Sequence, residues 1–140
     1  MNHVLIALSQ YGVSENKTGD NPVILNYAKE CGMDQMPNDE MSWCSIFMNW
    51  VAFKCGLPMS HSPAARSWLN VGVQVTDPQM GDVAVLWRVK PDSWQGHVGI
   101  FISYGADKKI VFLLGGNQGD KVWIVAFPVE QVLQFRRIHT

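Results

Sequence analysis

The chain has 140 residues and a formal net charge of −1, which fits one compact domain over residues 1–140 and gives no electrostatic reason to expect nucleic acid or an anionic membrane as a partner. Apolar residues make up 47%, enough to build a core without metals or disulfides. No apolar run approaches the length of a membrane span, and the opening MNHVLIALSQYG has no basic residue, so neither an integral membrane segment nor a secretory signal is expected.

Residues 3–11 are expected to form a short helix, followed by the polar loop SENKTGDN. Asn21 and Pro22 are suited to the N-cap and first turn of a second helix, which runs through PVILNYAKEC and stops at Gly32. A loop, MDQMPNDEM, leads to Ser42, a good N-cap preceded by the acidic pair Asp39 and Glu40. A third helix then spans about Trp43 to Cys55 and ends at Gly56, with Pro58 beyond. On it Cys44, Phe47, Met48, Val51 and Cys55 form one stripe, and Ile46, Trp50 and Phe53 a second. Only Ser45 and Asn49 leave a polar seam, so the helix is expected to be central and buried.

HSPAARSWLNVG suggests a loop with a short helix. From Gly81 the apolar residues alternate. DVAVLWRV, HVGIFISY, KIVFLLGGN, VWIVAFP and VLQFRRI read as five strands joined by short turns, which predicts an antiparallel meander. Helices first and strands second give an α+β fold.

Cys31, Cys44 and Cys55 are an odd set, so at least one thiol is free, and no Cys/His cluster has zinc spacing. No metal or cofactor is expected. Cys44 lies in the first turn of the third helix, where the helix dipole and a neighbouring imidazolium both favour a thiolate. A cysteine nucleophile needs a base and a group that orients the base. His3 and His139 are expected at frayed ends of the chain and His61 in a solvated loop, which leaves His97, at the start of the strand HVGIFISY. Folding that strand onto KIVFLLGGN around GADK sets His97 opposite Gly116 or Asn117. Asn117 is then the candidate orienter, with Gln118 and Asp120 as alternatives, since a slip of one residue turns Asn117 away. Gly99, Gly115 and Gly116 mark a place where another backbone element can approach closely. Alone, Cys44 reads as core filling, His97 as a strand-end histidine and Asn117 as a turn residue; the combination points to chemistry. First-turn N–H groups, with Ser42 or Asn38 as further donors, would hold an oxyanion. Trp43 and Trp94 flank the site and are candidates, with Ser42, for binding substrate.

SWCSIFMNWVAFKCGLP, GDVAVLWR, GHVGIFI and LGGNQGD, with ALSQYGVSENKTGDNPVILNY upstream and ARSWLNVGV between, resemble the CHAP and NlpC-type cysteine peptidases, and more narrowly a small bacterial and phage CHAP-like family. The resemblance implies a papain-like fold, with N-terminal helices and a buried central helix carrying Cys44 packed on a sheet of about five antiparallel strands. It implies Cys44 as nucleophile, His97 as base and Asn117 as the third residue. Where many CHAP domains carry a Glu, two positions before that Asn, this chain has Gly115, so a Glu-assisted site is not expected. Trp43 stands where related enzymes carry Gln or Asp. The implied activity is hydrolysis of amide bonds in peptidoglycan stem peptides by a monomer. It would be made without a signal peptide and delivered to the periplasm or outside the cell by a holin or a secretion system, with an immunity protein as partner in the second case. Acyl transfer or protein deamidation at the same site is the rival chemistry, and a catalytically dead wall-binding module the non-enzymatic rival.

Overall fold

The structure, a computed structural model, describes residues 2–14, 22–33 and 43–139. Three helices come first: α1 (Asn2–Leu8), α2 (Pro22–Glu30) and α3 (Cys44–Lys54). The expected caps at Asn21 and Ser42 lie outside the described residues. The C-terminal stops are resolved in detail. At the end of α2 the N–H of Met33 bonds to Ala28 O and that of Gly32 to Lys29 O; at the end of α3, Leu57 bonds to Ala52 O and Gly56 to Phe53 O. These are Schellman motifs, and both need a residue with positive φ, supplied by Gly32 (79°) and Gly56 (67°).

Helix α3 is buried at every residue from Cys44 to Ala52, as its near-continuous apolar surface requires. Its polar seam is buried too, and each polar atom there has work. Asn49 Oδ1 accepts from the N–H groups of Ser60 and His61, the Ser45 hydroxyl donates to Ser62 O at 2.6 Å, and the Trp68 indole donates to Ser45 Oγ. The seam therefore clamps the loop Ser60–Ser62 and a 3₁₀ turn at Ala65–Asn70 onto the helix.

The sheet has six strands where five were expected: β1 (Val73–Val75), β2 (Val83–Trp87), β3 (Gly96–Tyr104), β4 (Ile110–Gly115), β5 (Trp123–Pro128) and β6 (Val132–Arg137), all antiparallel. The added strand, β1, is three residues long, too short to show an alternating pattern. The order is β1-β6-β2-β3-β4-β5, so only β2 to β5 form the expected meander, and β6 returns to pair with β2. In a flat sheet β5 and β6 would lie four strand spacings apart, roughly 19 Å. Pro128 and Val132 are four residues apart in sequence, a reach of about 14 Å at most. The sheet must therefore curl. Its two faces carry two cores: Val83, Val85, Val98, Ile100 and Leu114 pack with the helices, while Ala84, Leu86, Phe101, Val111, Leu113 and Phe135 fill the other face. Strand β2 is buried on both, which explains its unbroken apolar run.

The chain ends also differ from expectation. His3 is 2% exposed and its Nε2–H donates to Gly81 O, while the ring of His139 lies 4.9 Å from that of His3 and its Nδ1 3.8 Å from Asp82. These histidines are packed against the start of β2 rather than frayed.

Candidate active site

The buried helix and the sheet meet at the first turn of α3. Gly116 is what lets them meet: a Cβ there would lie 2.6 Å from the Trp43 ring and 2.8 Å from Phe47 Cβ, so no side chain fits without moving the helix. Trp43 is accordingly core. It is 1% exposed and stands edge-on to Phe47, which corrects its expected place on a substrate wall. Trp94 is the opposite case, 83% exposed on the loop between β2 and β3. Ser42 lies outside the described residues.

Cys44 and His97 are brought together. The thiol and imidazole are hydrogen-bonded, with both groups buried. Burial alone would pull the imidazole pKa down, but the charge of Cys44, the bond to it and a bond to Gln118 outweigh that and hold it above the ordinary histidine value. The ring nitrogen Nε2 lies 2.9 Å from Gln118 Oε1. That leaves Nδ1 as the nitrogen available to the thiol. All three cysteines are free thiols.

The amide that bonds to the imidazole is that of Gln118, one of the alternatives, and not that of Asn117. Facing pairs Ile100–Leu114 and Phe101–Leu113 continue toward His97–Asn117, as the hairpin count required, but β4 ends at Gly115. The chain then turns, and Asn117 adopts φ 58°, the left-handed conformation common for Asn in turns. The next residue, Gln118, is carried back over the sheet. Its amide is fixed in sense because Nε2 donates to Leu113 O and to Trp123 O, which aims Oε1 at the imidazole. The glycines make room for it: a Cβ at Gly99 or Gly115 would lie 3.2 or 3.0 Å from Gln118 Oε1. The amide thus takes space that a Glu at position 115 would enter. Gln118 is 3% exposed. Asp120, the other alternative, is an exposed turn residue with φ 64°. The signal for Gln118 in the sequence was the glycine pair itself, which ends the strand early.

A cavity of about 250 Å³ opens beside His97, lined by Leu86, Arg88, Gln118, Phe127 and Gln131 among others. The Phe127 ring stands 5.1 Å from the imidazole. A second cavity, of about 140 Å³, lies between Pro63–Ala65 and Trp94–Gly96 and shares Arg88 with the first. Arg88 was not singled out from sequence. No cluster of three or more potential metal ligands occurs among the described residues.

Comparison with curated proteins gives no match. The family model of the CHAP domain matches residues 36–117, more than half of the chain, a span that holds both Cys44 and His97 and stops one residue before Gln118. The chain belongs to the CHAP domain family, hydrolases of the cysteine peptidase and amidase type that act on peptidoglycan.

Proposed function

We propose that the protein hydrolyses an amide bond of peptidoglycan stem peptides, with Cys44 as nucleophile, His97 as its acid and base, and Gln118 as the residue that positions the imidazole. The observation that carries this reading is the buried Cys44–His97 pair with its imidazole fixed from behind by the Gln118 amide. The Cys44 sulfur attacks the amide carbonyl, forming a C–S bond. The developing oxyanion lies at the N-terminal end of α3, where first-turn N–H groups and the helix dipole favour negative charge. His97 protonates the leaving nitrogen as the C–N bond breaks. It then takes a proton from water, which attacks the acyl-enzyme and releases Cys44. Cys44 is 1% exposed, so a substrate carbonyl reaches the sulfur only when neighbouring groups give way.

Purified sacculi incubated with the wild type should release peptide fragments whose masses identify the bond cut. Cys44→Ala should release none. No release by the wild type overturns the substrate, and equal release by both overturns the mechanism. The same site would serve a phage lysis enzyme delivered through a holin or an effector exported against other bacteria. The second role would carry an immunity protein that blocks access to Cys44, and the neighbouring genes distinguish the two.

A further inference from the structure

The chain has four arginines, and three of them are committed to the fold. Arg66 donates to the carbonyls of Gln95, Pro91 and Lys90; Arg136 to those of Val71 and Gly72; Arg137 to both carboxylate oxygens of Asp82. Arg88 is different. Its backbone is bonded, but among the described residues its guanidinium has neither a hydrogen bond nor an ion pair, although Asp92 lies on the same loop. It stands between the two cavities beside the candidate active site, close enough for its charge to be felt at His97.

The loop that carries Arg88 is built to hold it there. Val89, a β-branched residue, has φ 69°, and the N–H of Lys90 bonds back to Arg88 O at 2.8 Å. That is a γ-turn of the strained, positive-φ kind, in a conformation rarely found for valine. Such strain persists only where the surroundings over-determine it. Here they do: the Ser93 hydroxyl bonds to Arg88 O and Lys90 O, Arg88 N–H bonds to Gln95 O, and the Arg66 fork holds three carbonyls of the same loop. The result is a fixed loop that presents an uncommitted guanidinium and an exposed indole, Trp94, at the edge of the candidate site.

We propose that Arg88 binds a free carboxylate of the substrate on the amine side of the scissile bond, with Trp94 covering the adjoining peptide. This rests on the amide-hydrolase reading given above. The side follows from the chemistry. His97 must reach the leaving nitrogen, so the leaving residue passes over the imidazole toward the cavity that Arg88 borders. A guanidinium matches a carboxylate through two parallel N–H donors, a geometry that lysine does not reproduce. The carboxylate would also cancel the repulsion between Arg88 and the imidazolium.

The test uses two synthetic stem peptides, identical except for a C-terminal carboxylate or carboxamide. The wild type should cleave the carboxylate peptide with kcat/KM about ten- to a hundredfold higher, mostly through KM. Arg88→Ala should abolish that preference, and Arg88→Lys should restore only part of it. Calorimetry on Cys44→Ala, which cannot turn over, should show the same preference in binding, lost when Arg88→Ala is added. Equal cleavage of both peptides by the wild type, or a preference that survives Arg88→Ala, overturns the proposal and leaves the hydrolase reading intact. If neither peptide is cleaved, the hydrolase reading fails, and the binding comparison alone decides whether Arg88 reads a carboxylate.

Discussion

Two buried histidines stand at opposite ends of the β2–β3 ladder, and their environments pull in opposite directions. At the Asp82 end, His3 donates to the Gly81 carbonyl and faces the His139 ring, and its pKa is lowered, chiefly by burial. At the Leu86 end, His97 is just as buried, yet its pKa is raised because Cys44 supplies a charge and Gln118 a fixed acceptor. The Asp82 end has a charge of its own, but Arg137 takes both carboxylate oxygens at 2.9 and 2.7 Å, so the anion is committed before a histidine can use it. At the His97 end the Arg88 guanidinium, by contrast, has no hydrogen bond or ion pair among the described residues. Burial favours the neutral ring, and an uncommitted anion is what reverses it. One end therefore ties the N- and C-terminal segments to the sheet, and the other is equipped to move a proton.

The largest effects should come from breaking the two anions separately. Cys44→Ala should lower turnover by more than about 10³-fold, since the nucleophile is lost. It also leaves His97 with burial and without its charge partner, so its titration, followed by NMR, should move down from its raised wild-type position. Asp82→Asn should do the reverse. It should leave turnover per folded molecule close to wild type but reduce the unfolding free energy by about 1–3 kcal/mol, as expected when a buried carboxylate loses its charge-assisted bonds to a half-buried guanidinium. Burial works against the Asp82 carboxylate, but its bonds to Arg137 prevail and hold its pKa below the usual carboxylate value. Its contribution is thus present above the unfolded value of about 3.9 and lost as pH falls through the lower folded one. Urea unfolding between pH 7 and 3 should show that acid loss in the wild type and a shallower one in Asp82→Asn; equal acid sensitivity in both would remove Asp82 from the account.

An intermediate effect should separate the two neighbouring amides. Gln118→Ala removes the acceptor at His97 Nε2 and leaves the carbonyls of Leu113 and Trp123 short of a donor, so turnover should fall about 10–10³-fold and stability by about 1–3 kcal/mol. Asn117→Gly keeps the turn, because φ 58° suits glycine, and should cost less turnover than Gln118→Ala. A large loss in Asn117→Gly with little in Gln118→Ala would return the positioning role to Asn117.

That pair also marks where sequence reasoning runs out. The α+β order, the buried third helix, both glycine stops and five of the strands were legible because they rest on local rules: periodicity, caps and turns. Cys44 and His97 were legible because a helix start and a strand start are local too. Gln118 was named only as an alternative, because the hairpin count assumes that β4 continues to Asn117, and it ends at Gly115. The return of β6 to β2 follows from curvature accumulated over the whole sheet, which no short stretch encodes. The packed termini were missed because Asp82, His3 and His139 are far apart in sequence and meet only in the fold. Arg88 was missed for a related reason: its significance lies in the partners it lacks, and partners are assigned by tertiary structure.

The smallest predicted effect bears on Arg88 and the charge of His97. The Cys44–His97 ion pair is lost as pH rises through the raised imidazole value, so the alkaline limb of kcat/KM should report His97. Gln118 helps hold that value up and Arg88 pushes it down. Gln118→Ala should therefore move the limb to lower pH, and Arg88→Ala to higher pH, measured on the carboxamide peptide so that loss of a substrate contact does not enter. Arg88 is exposed, so its influence travels partly through solvent and should shrink between low and high salt, where the screening length falls from about 30 Å at 0.01 M to about 3 Å at 1 M. The Gln118 effect acts through a buried hydrogen bond and should persist at both. Shifts of the same sign for the two variants, or a Gln118 effect that salt removes, would mean that the limb belongs to another group and that the two ends of the ladder differ for a reason other than the availability of an anion.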